Sequence, residues 1–390
     1  MSLLAEGSSF LSDQRFAEAV GWRRYLHANP ELSFHEHETA DYVEAKLRSW
    51  GLQPERPTPT SVVVRLLNGE GRTIALRADM DALPIHEESG VEFASTRSGV
   101  MHACGHDMHT ATLLAVARTL LVDRRDDFAG EVRFVFQHAE EQPPGGAHEL
   151  VAAGVVDGCD AVVGCHVFSE EPAGTAAVFD GAFMAAADMF TLTIRGKGGH
   201  GAMPHLSIDP VVCAAEIVGA FQTIVTREVD ARAMAVITTA SIRTDSARGN
   251  VIPEVVELEG TVRTFDGDVR SQVVEAMGRI AQSVAAAHRC AAELSYEFGY
   301  SPTINDADVA ALVRRNVPPG LLRDILPTMG GEDFSAYGSV APACFFVAGA
   351  GGPGAFPHHH PRFVVDEVAM RVAHDVFVGT VLDFLGGDGA

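Results

Sequence analysis

The stretch Met101-His-Ala-Cys-Gly-His-Asp-Met-His-Thr110 places one thiol, three imidazoles and a carboxylate at the start of a long apolar run. That run, from about Asp107 to Val122, predicts a buried helix. A strand predicted over Thr73–Arg77 precedes the helix, and another predicted over Gly130–Phe136 follows it. Strands that alternate with helices are typical of an α/β domain with a mixed, mostly parallel sheet flanked by helices.

The same alternation continues on both sides of this stretch. A helical pattern runs from Ser12 to Trp50 and is broken at Asn29-Pro30. Two further runs, Ser61–Leu67 and Ala161–Val167, are typical of strands. Polar clusters follow several of these strands, and open α/β sheets place their sites at strand ends.

The pattern changes between about Phe183 and Gly299. The strand-like and helix-like runs in this region are Phe190–Ile194, Asp209–Glu228, Val236–Ile242, Val255–Arg263 and Asp268–His288. The side chains that commonly bind metals lie mostly outside it. We therefore interpret 183–299 as a smaller α+β domain inserted into a discontinuous domain formed by 1–182 and 300–390.

Charge and cysteine content narrow the possible partners. Among 390 residues, 29 Lys and Arg stand against 52 Asp and Glu, a formal net charge of -23. Such a surface repels phosphate backbones and anionic lipid, and no apolar run reaches the length of a membrane span, so we expect neither nucleic acid nor a membrane as partner. Met1–Phe10 lacks the features of a signal peptide, and six scattered cysteines form no disulfide framework, which favours the cytoplasm.

Four clusters outside the insertion carry metal-binding side chains. They are Asp79 with Asp81, Cys104 with His106, Glu140 with Glu141, and His166 with the run His358-His-His360. Each has an ordinary explanation when taken alone, because paired aspartates cap turns and single histidines are often solvated. Together, in one α/β domain, they predict a transition-metal site of two ions that share ligands.

A glycine-rich loop offers a different interpretation. Gly196-Lys-Gly-Gly-His-Gly201 follows a strand and matches the pattern G-x-G-x-x-G, so a nucleotide-dependent oxidoreductase is an alternative. Against it, Pro204 stands where the helix should begin, and no second strand ends in an acidic residue at the expected distance. The glycines are better explained by a loop that lets His200 approach another group closely.

Taken in order, the motifs resemble those of the metal-dependent aminoacylase and carboxypeptidase family of amidohydrolases. The branch to which they are most similar contains hippurate hydrolase, the indole-acetyl-amino-acid hydrolases and N-acetyldiaminopimelate deacetylase. The resemblance spans nearly the whole chain. The matching segments are Arg24–Glu31, Arg77–Pro84, Met101–His109, Glu140–Glu141, Gly198–His205, Asn250–Pro253, Gly330–Phe334 and His359–Phe363.

The resemblance implies a role for each candidate in the larger domain. The metal ligands are expected to be Cys104, His106, Glu141, His166 and His359, with Cys104 as the bridge between two ions. Glu140 matches the general base, and Asp79 and Asp81 match residues that orient ligands. The last motif commonly reads His-Asn-Pro or His-Ser-Pro, whereas here His360 replaces the middle residue. The ligand is therefore His359 or His360, and we choose His359 because it lies two residues before the proline.

The resemblance also implies a reaction. The residues expected to contact substrate are His200, Asn250 and Arg263, all in the inserted domain, which in this family dimerises and acts as a lid. We expect hydrolysis of the amide bond of N-acyl amino acids or small peptide-like amides by water activated on two divalent ions per subunit (Mn2+, Zn2+, Co2+ or Ni2+). Alternatives are a dipeptidase or carboxypeptidase, and a non-catalytic small-molecule binder, for which the base Glu140 has no use.

Overall fold

The computed structural model of the chain describes residues 9–246 and 248–386. Most of Met1–Phe10, where we found no signal peptide, lies outside these ranges. The helices, in chain order, are α1 (Asp13–Ala28), α2 (His37–Ser49), α3 (His106–Val122), α4 (Gly146–Ala152), α5 (Pro210–Thr223), α6 (Gly267–Ala287), α7 (Ala307–Arg315), α8 (Ser335–Gly338) and α9 (Val368–Leu385).

The strands alternate with these helices along the chain. They are β1 (Val62–Asn68), β2 (Thr73–Asp79), β3 (Gly130–Gln137), β4 (Ala161–Pro172), β5 (Ala176–Ala177), β6 (Gly181–Met184), β7 (Ala186–Arg195), β8 (Gly199–His200), β9 (Ala235–Thr244), β10 (Val251–Ile252), β11 (Val255–Thr264), β12 (Ala291–Glu297), β13 (Thr303–Asn305), β14 (Leu322–Arg323) and β15 (Ala343–Gly351).

The chain divides into two compact units. The first runs to Gly181 and resumes over Ile304–Leu326 and from Asp333 onward, and the second comprises Ala182–Thr303 and Pro327–Glu332. The expected insertion, 183–299, lies within the longer segment of the second unit. The short segment joins the same unit through backbone hydrogen bonds: the amide of Thr328 donates to the carbonyl of Phe183 at 2.9 Å, and the amide of Ala185 donates to the carbonyl of Thr328 at 3.2 Å.

The first unit is built on a seven-stranded sheet in the order β1-β3-β2-β4-β15-β5-β14. Strands β3, β2, β4 and β15 run parallel to one another, whereas β1 and β5 pair antiparallel with β3 and β15. Because the parallel strands share a direction, the residues that follow them gather at one edge of the sheet. The predicted α/β class with a mixed, mostly parallel sheet is confirmed.

Helix α3 lies in the interior of the first unit. It packs against α1, α9 and β2, and nearly all of its residues are buried. A helix that is apolar on almost every side belongs in a core. The Thr110 hydroxyl donates to the carbonyl of Asp79 at 2.8 Å, so the first turn of α3 is tied to the end of β2. The stretch that opens α3 is thereby fixed at the edge of the sheet where polar residues gather.

The second unit has a four-stranded antiparallel sheet in the order β12-β7-β11-β9. Buried residues alternate with partly exposed ones along β11, as in a sheet with one covered face. Helices α5 and α6 cover that face, and their apolar residues form a core with those of the strands. Helix α5 begins at Pro210, and the side chain of Asp209 accepts a hydrogen bond from the amide of Val211 at 2.9 Å.

Among the residues that the structure describes, one helical stretch is long and apolar enough to cross a membrane, although the sequence suggested no run of that length. It is Pro210–Glu228, which combines α5 with the π-helical turn that follows, and 33% of its apolar 18-residue segment is buried. Core helices can be equally long and apolar, and the buried Cys213, Ile217 and Phe221 lie in the core of the second unit. The stretch is therefore weak support for a membrane span.

The helices and strands predicted up to His288 correspond to observed elements, although β4 and β7 extend beyond their predicted ends. We predicted no individual elements after Gly299. In that region β15 lies in the middle of the sheet beside β4, and α9 packs against α3. The C-terminal segment thus supplies part of the centre of the first unit.

Candidate metal centre

Gly105 sets the positions of the two side chains on either side of it. Its φ is +96°, in the left-handed region that favours glycine, and α3 begins at the next residue, His106. A Cβ at Gly105 would lie 2.4 Å from Cγ2 of Val167 on β4. The close approach of α3 to β4 requires a glycine here, and it brings Cys104 and His106 beside the strand that carries His166.

His106 faces a ring of carboxylates. Its Nδ1–H donates to Asp81, whose carbonyl oxygen lies at 3.0 Å and whose Oδ1 lies at 3.2 Å. Its Nε2 is buried and has no hydrogen-bond partner. Around that nitrogen lie carboxylate oxygens of Asp79 at 3.7 Å, Glu140 at 3.9 Å and Glu141 at 4.0 Å. Separations of this size suit a cation held by bonds of about 2.0–2.3 Å.

A backbone bend turns the two adjacent glutamates toward the same place. Neighbouring residues of a strand point to opposite sides, but β3 ends at Gln137 and Ala139 has a φ of +49°. The amides of Glu140 and Glu141 donate to the two carboxylate oxygens of Asp81 at 3.1 and 3.0 Å. Both glutamates consequently approach His106, which a continued strand would not permit.

The thiol of Cys104 is common to two groups of possible metal ligands. The ligand atoms of Cys104, His106 and His166 lie within 4.8 Å of one another, and so do those of Cys104, Glu141 and His359. The sulfur is 3.4 Å from Nε2 of His166. Burial lowers the pKa of His166 well below its usual value, so the imidazole is neutral, as a metal ligand must be. Two groups that share a thiolate suit a pair of ions with Cys104 between them.

The structure distinguishes the three successive histidines. The Nε2 of His359 lies 3.2 Å from Oε1 of Glu141, and the amide of His359 donates to the carbonyl of Ala103 at 2.9 Å. His360 instead stacks on Phe356, with ring centroids 4.6 Å apart. His358 is nearer the site than expected, since its Nδ1 is 3.8 Å from the Cys104 sulfur. His359 belongs to a group of side chains that could hold an ion, and His360 belongs to no such group among the residues that the structure describes.

The acidic surroundings hold protons on the ligands when no cation is bound. Burial opposes this effect, yet the carboxylates of Asp79 and Asp81 raise the pKa of His106 to about 10. Burial, together with the charge of Glu141, raises the pKa of the Cys104 thiol well above its usual range. A divalent cation replaces such protons and neutralises the negative charge of the carboxylates. The donor set therefore fits a metal centre.

The candidates in the second unit are only partly brought together. His200 and Asn250 line one cleft of about 560 Å3, and Arg263 is not among its lining residues. The Nη1 of Arg263 donates to the carbonyls of Asp188 and Val262 at 3.3 and 3.1 Å. In this unit β7 ends at Arg195 and the next α-helix begins only at Pro210, so the glycine loop lacks the helix that a dinucleotide site requires.

Sequence reasoning missed a buried polar network next to His106. The carboxylate of Asp107 accepts hydrogen bonds from Nε of Arg23 at 2.7 Å and from Nδ1 of His27 at 2.9 Å, while Nε2 of His27 lies 3.1 Å from Glu87. Burial raises the pKa of Asp107, but the charges of Arg23 and His27 and the hydrogen bond from His27 together lower it and hold the carboxyl ionised. His27 lies in the motif Arg24–Glu31, which was noted in the sequence. Its hydrogen bond with Asp107 is evident only from the structure.

Comparisons with known proteins agree with this arrangement. The model of peptidase family M20/M25/M40 matches residues 75–383, more than half of the chain. An N-acyl-L-amino acid amidohydrolase of Geobacillus stearothermophilus is 49% identical over 76% of this chain and 80% of its own length. Thermostable carboxypeptidase 2 of Saccharolobus solfataricus is 39% identical over 90% of this chain and 91% of its own length.

A solved structure supports the same assignment. A dinuclear metal-binding peptidase of the M20 family from Bacillus subtilis matches with a TM-score of 0.85 and 34% identity, covering 96% of this chain and 99% of that chain. The resemblance inferred from the motifs is confirmed, and so is a metal-dependent hydrolase with residue groups able to hold two ions. The chain belongs to peptidase family M20/M25/M40.

Proposed function

We propose that the chain hydrolyses the amide bond of N-acyl amino acids with the help of two divalent metal ions. The observation that carries the proposal is the pair of ligand groups that share Cys104, with the carboxylate of Glu140 3.9 Å from the ligand nitrogen of His106. The similar amidohydrolase of Geobacillus stearothermophilus, named for this substrate class, supports the choice of substrate.

In this proposal each residue has one task. Bound divalent ions lower the pKa of a water molecule and polarise a carbonyl oxygen. Glu140 takes the proton of the attacking water and passes it to the leaving nitrogen. Its position supports this role, because the hydrogen bond from its amide to Asp81 fixes the backbone beside the ligands. Asp81 also holds Nδ1 of His106, which leaves Nε2 for the metal.

The substrate contacts of the second unit remain part of the proposal. His200 stabilises the developing oxyanion, and Asn250, which lines the same cleft, contacts the substrate beside it. Arg263 binds the free carboxylate of the amino-acid half as a planar fork. The two backbone carbonyls that accept from its Nη1 hold the guanidinium in place for this contact.

The proposed role of Glu140 as the base is tested directly with a base-deficient variant. Glu140→Gln keeps the shape of the side chain but removes the base, so we expect kcat to fall by about 10²–10⁴-fold while two metal ions still bind. The control is Glu149→Gln, which removes an exposed carboxylate that pairs with His138 and leaves the ligands intact. Full turnover by Glu140→Gln on N-acetyl, N-benzoyl and indole-acetyl amino acids would contradict the proposal.

A carboxypeptidase or dipeptidase activity is the second candidate, because thermostable carboxypeptidase 2 of Saccharolobus solfataricus is similar to this chain. Both reactions use the same metal-assisted attack on an amide, and they differ in the group that lies on the acyl side. We therefore expect higher kcat/KM for N-acetyl amino acids than for dipeptides with the same C-terminal residue. A kcat/KM at least about tenfold higher for the dipeptides would favour the second candidate. Such a preference corresponds to a difference of about 1.4 kcal/mol in activation free energy.

We also propose that the second unit forms a homodimer. Strand β9 is at the edge of its sheet, with exposed Val236 and Ile242 (38% and 60%), and β9 has no further strand neighbour in the described ranges. We expect a dimer in sedimentation experiments and a monomer after Ile242→Arg. Leu326→Arg, at an exposed leucine of the first unit, is the control that keeps the dimer. A monomeric wild type at micromolar concentration would contradict this proposal.

The proposed compartment is the cytoplasm. The six cysteines of the chain are all free, and none of them is paired with another in a disulfide. Reduced thiols persist in the cytoplasm, and the proposed bridging role of Cys104 needs a thiolate.

A further inference from the structure

His109 is the third imidazole of the 101–110 stretch, and none of the roles described above uses it. It lies three residues after His106 on α3, so the two side chains share one face of the helix. The residue is only 5% exposed. A buried polar ring needs partners for its nitrogens, and these partners are the carboxylate of Asp79 and the backbone amide next to His166.

Each ring nitrogen of His109 is engaged by a different strand. The amide of Val167, on β4, donates to Nε2 of His109 at 2.9 Å. Since Nε2 accepts, Nδ1 carries the hydrogen and donates it to Oδ1 of Asp79, at the end of β2, over 2.6 Å. The ring also packs edge-on against His166, the neighbour of Val167, with centroids 4.7 Å apart.

His109 could be mistaken for a ligand, because one of its ring nitrogens and the possible ligand atoms of Asp79 and His106 lie within 4.8 Å of one another. Coordination would require a free lone pair. The lone pair of Nε2 is used by the Val167 amide, and Nδ1 carries the hydrogen that Asp79 accepts. Either bond would have to break before His109 could bind an ion, so the contacts favour a different role.

We propose that His109 is a positioning residue that ties α3 to the ends of β2 and β4 and thereby sets the separation between the ligands His106 and His166. The inference rests on the proposed metal function. His106 is carried by α3 and His166 by β4, and the ring centroids of these two ligands are 5.9 Å apart. His109 bridges the same two elements and fixes the carboxylate of Asp79 that faces His106.

Metal titration of the metal-free protein tests this role. We expect His109→Leu to weaken binding of one Mn2+ ion by about 10–100-fold and to change the visible absorption spectrum of the Co2+-loaded protein. His109→Asn keeps a donor at the position of Nδ1 and should recover part of the affinity. The matched control is His374→Leu, which removes an equally buried histidine that bonds Thr119 at 2.9 Å and should leave Mn2+ affinity unchanged.

The outcomes separate this inference from the proposed function. If the wild type binds two Mn2+ ions and both His109 variants bind them with unchanged affinity and an unchanged Co2+ spectrum, the positioning role is overturned and the metal function stands. A metal-loaded structure with a His109 nitrogen bonded to an ion overturns it as well. If the wild type binds no divalent ion, the proposed function itself fails, and the inference fails with it. A variant that loses stability like His374→Leu but also loses metal affinity supports the inference.

Discussion

Asp81 connects the proposed metal ligand His106 with the proposed base through a single carboxylate. It accepts from Nδ1 of His106, from the Ser33 hydroxyl at 2.6 Å, and from the amides of Glu140 and Glu141. Burial disfavours its charge, but these hydrogen bonds, that of His106 first among them, lower its pKa. An ionised, fully bonded aspartate of this kind orients several functional groups at once.

Replacing Asp81 should therefore affect metal and turnover together. Asp81→Asn keeps the volume but turns one acceptor into a donor, so at least one of its partners loses its bond. We expect metal affinity and kcat each to fall by about 10–100-fold. Ser33→Ala removes only one donor and serves as the control with a small effect. Unchanged metal affinity and kcat in Asp81→Asn would show that the carboxylate has no orienting role.

The protonated His106 predicts a definite pH dependence. Its pKa of about 10 lies above the ordinary value of 6.5, so in the metal-free protein its contribution to stability is complete below pH 6.5 and is lost as pH rises through 10. A metal ion competes with that proton, and its affinity should rise with pH across the same window. Calorimetric titration with Mn2+ at about pH 7 and about pH 9, in buffers of different ionisation enthalpy, should reveal proton release. Affinity that is independent of pH would contradict this account.

At the scale of elements, the centre depends on how closely α3 approaches β4. The left-handed Gly105 permits this approach, because a Cβ there would meet Val167 at 2.4 Å. The contact lies between two expected ligands, Cys104 and His106. A displacement of α3 would therefore move both.

Gly105→Ala tests this dependence. The left-handed conformation alone costs an alanine about 1–2 kcal/mol, and the contact with Val167 adds to that cost. We expect lower thermal stability and weaker metal binding. Gly278→Ala, at a helical glycine of α6 with nothing near its Cβ position, should stabilise the protein by up to about 1 kcal/mol. Equal effects of the two variants on stability and on metal binding would show that the centre does not depend on the approach of α3 to β4.

Some elements were predictable and others were not, for physical reasons. The helix from Asp107 and the strands around it follow from local apolar patterns. The bend at Ala139 did not, because a positive φ at a residue other than glycine is imposed by the surroundings, here by the bond from its amide to Glu36. The central place of β15 depends on pairing with β4, which lies far away in sequence and leaves no local pattern.

At the scale of the whole molecule, five expected ligands spread from Cys104 to His359 meet in the first unit. The motifs could point to these residues because a metal centre constrains the residue type at each position. They could not identify His109 or Asp107, whose partners Val167 and Arg23 are ordinary residues of distant segments. The proposed contribution of His200 and Arg263 depends on contacts with a substrate, which a pattern of residues does not encode.

Anomalous scattering from crystals grown with Mn2+ is the sharpest test of whether two metal ions share Cys104. We expect two peaks, both within bonding distance of the Cys104 sulfur. One should be bonded to His106 and His166 and the other to Glu141 and His359. A map without two such peaks, or with Cys104 bonded to neither ion, would contradict the sharing of Cys104.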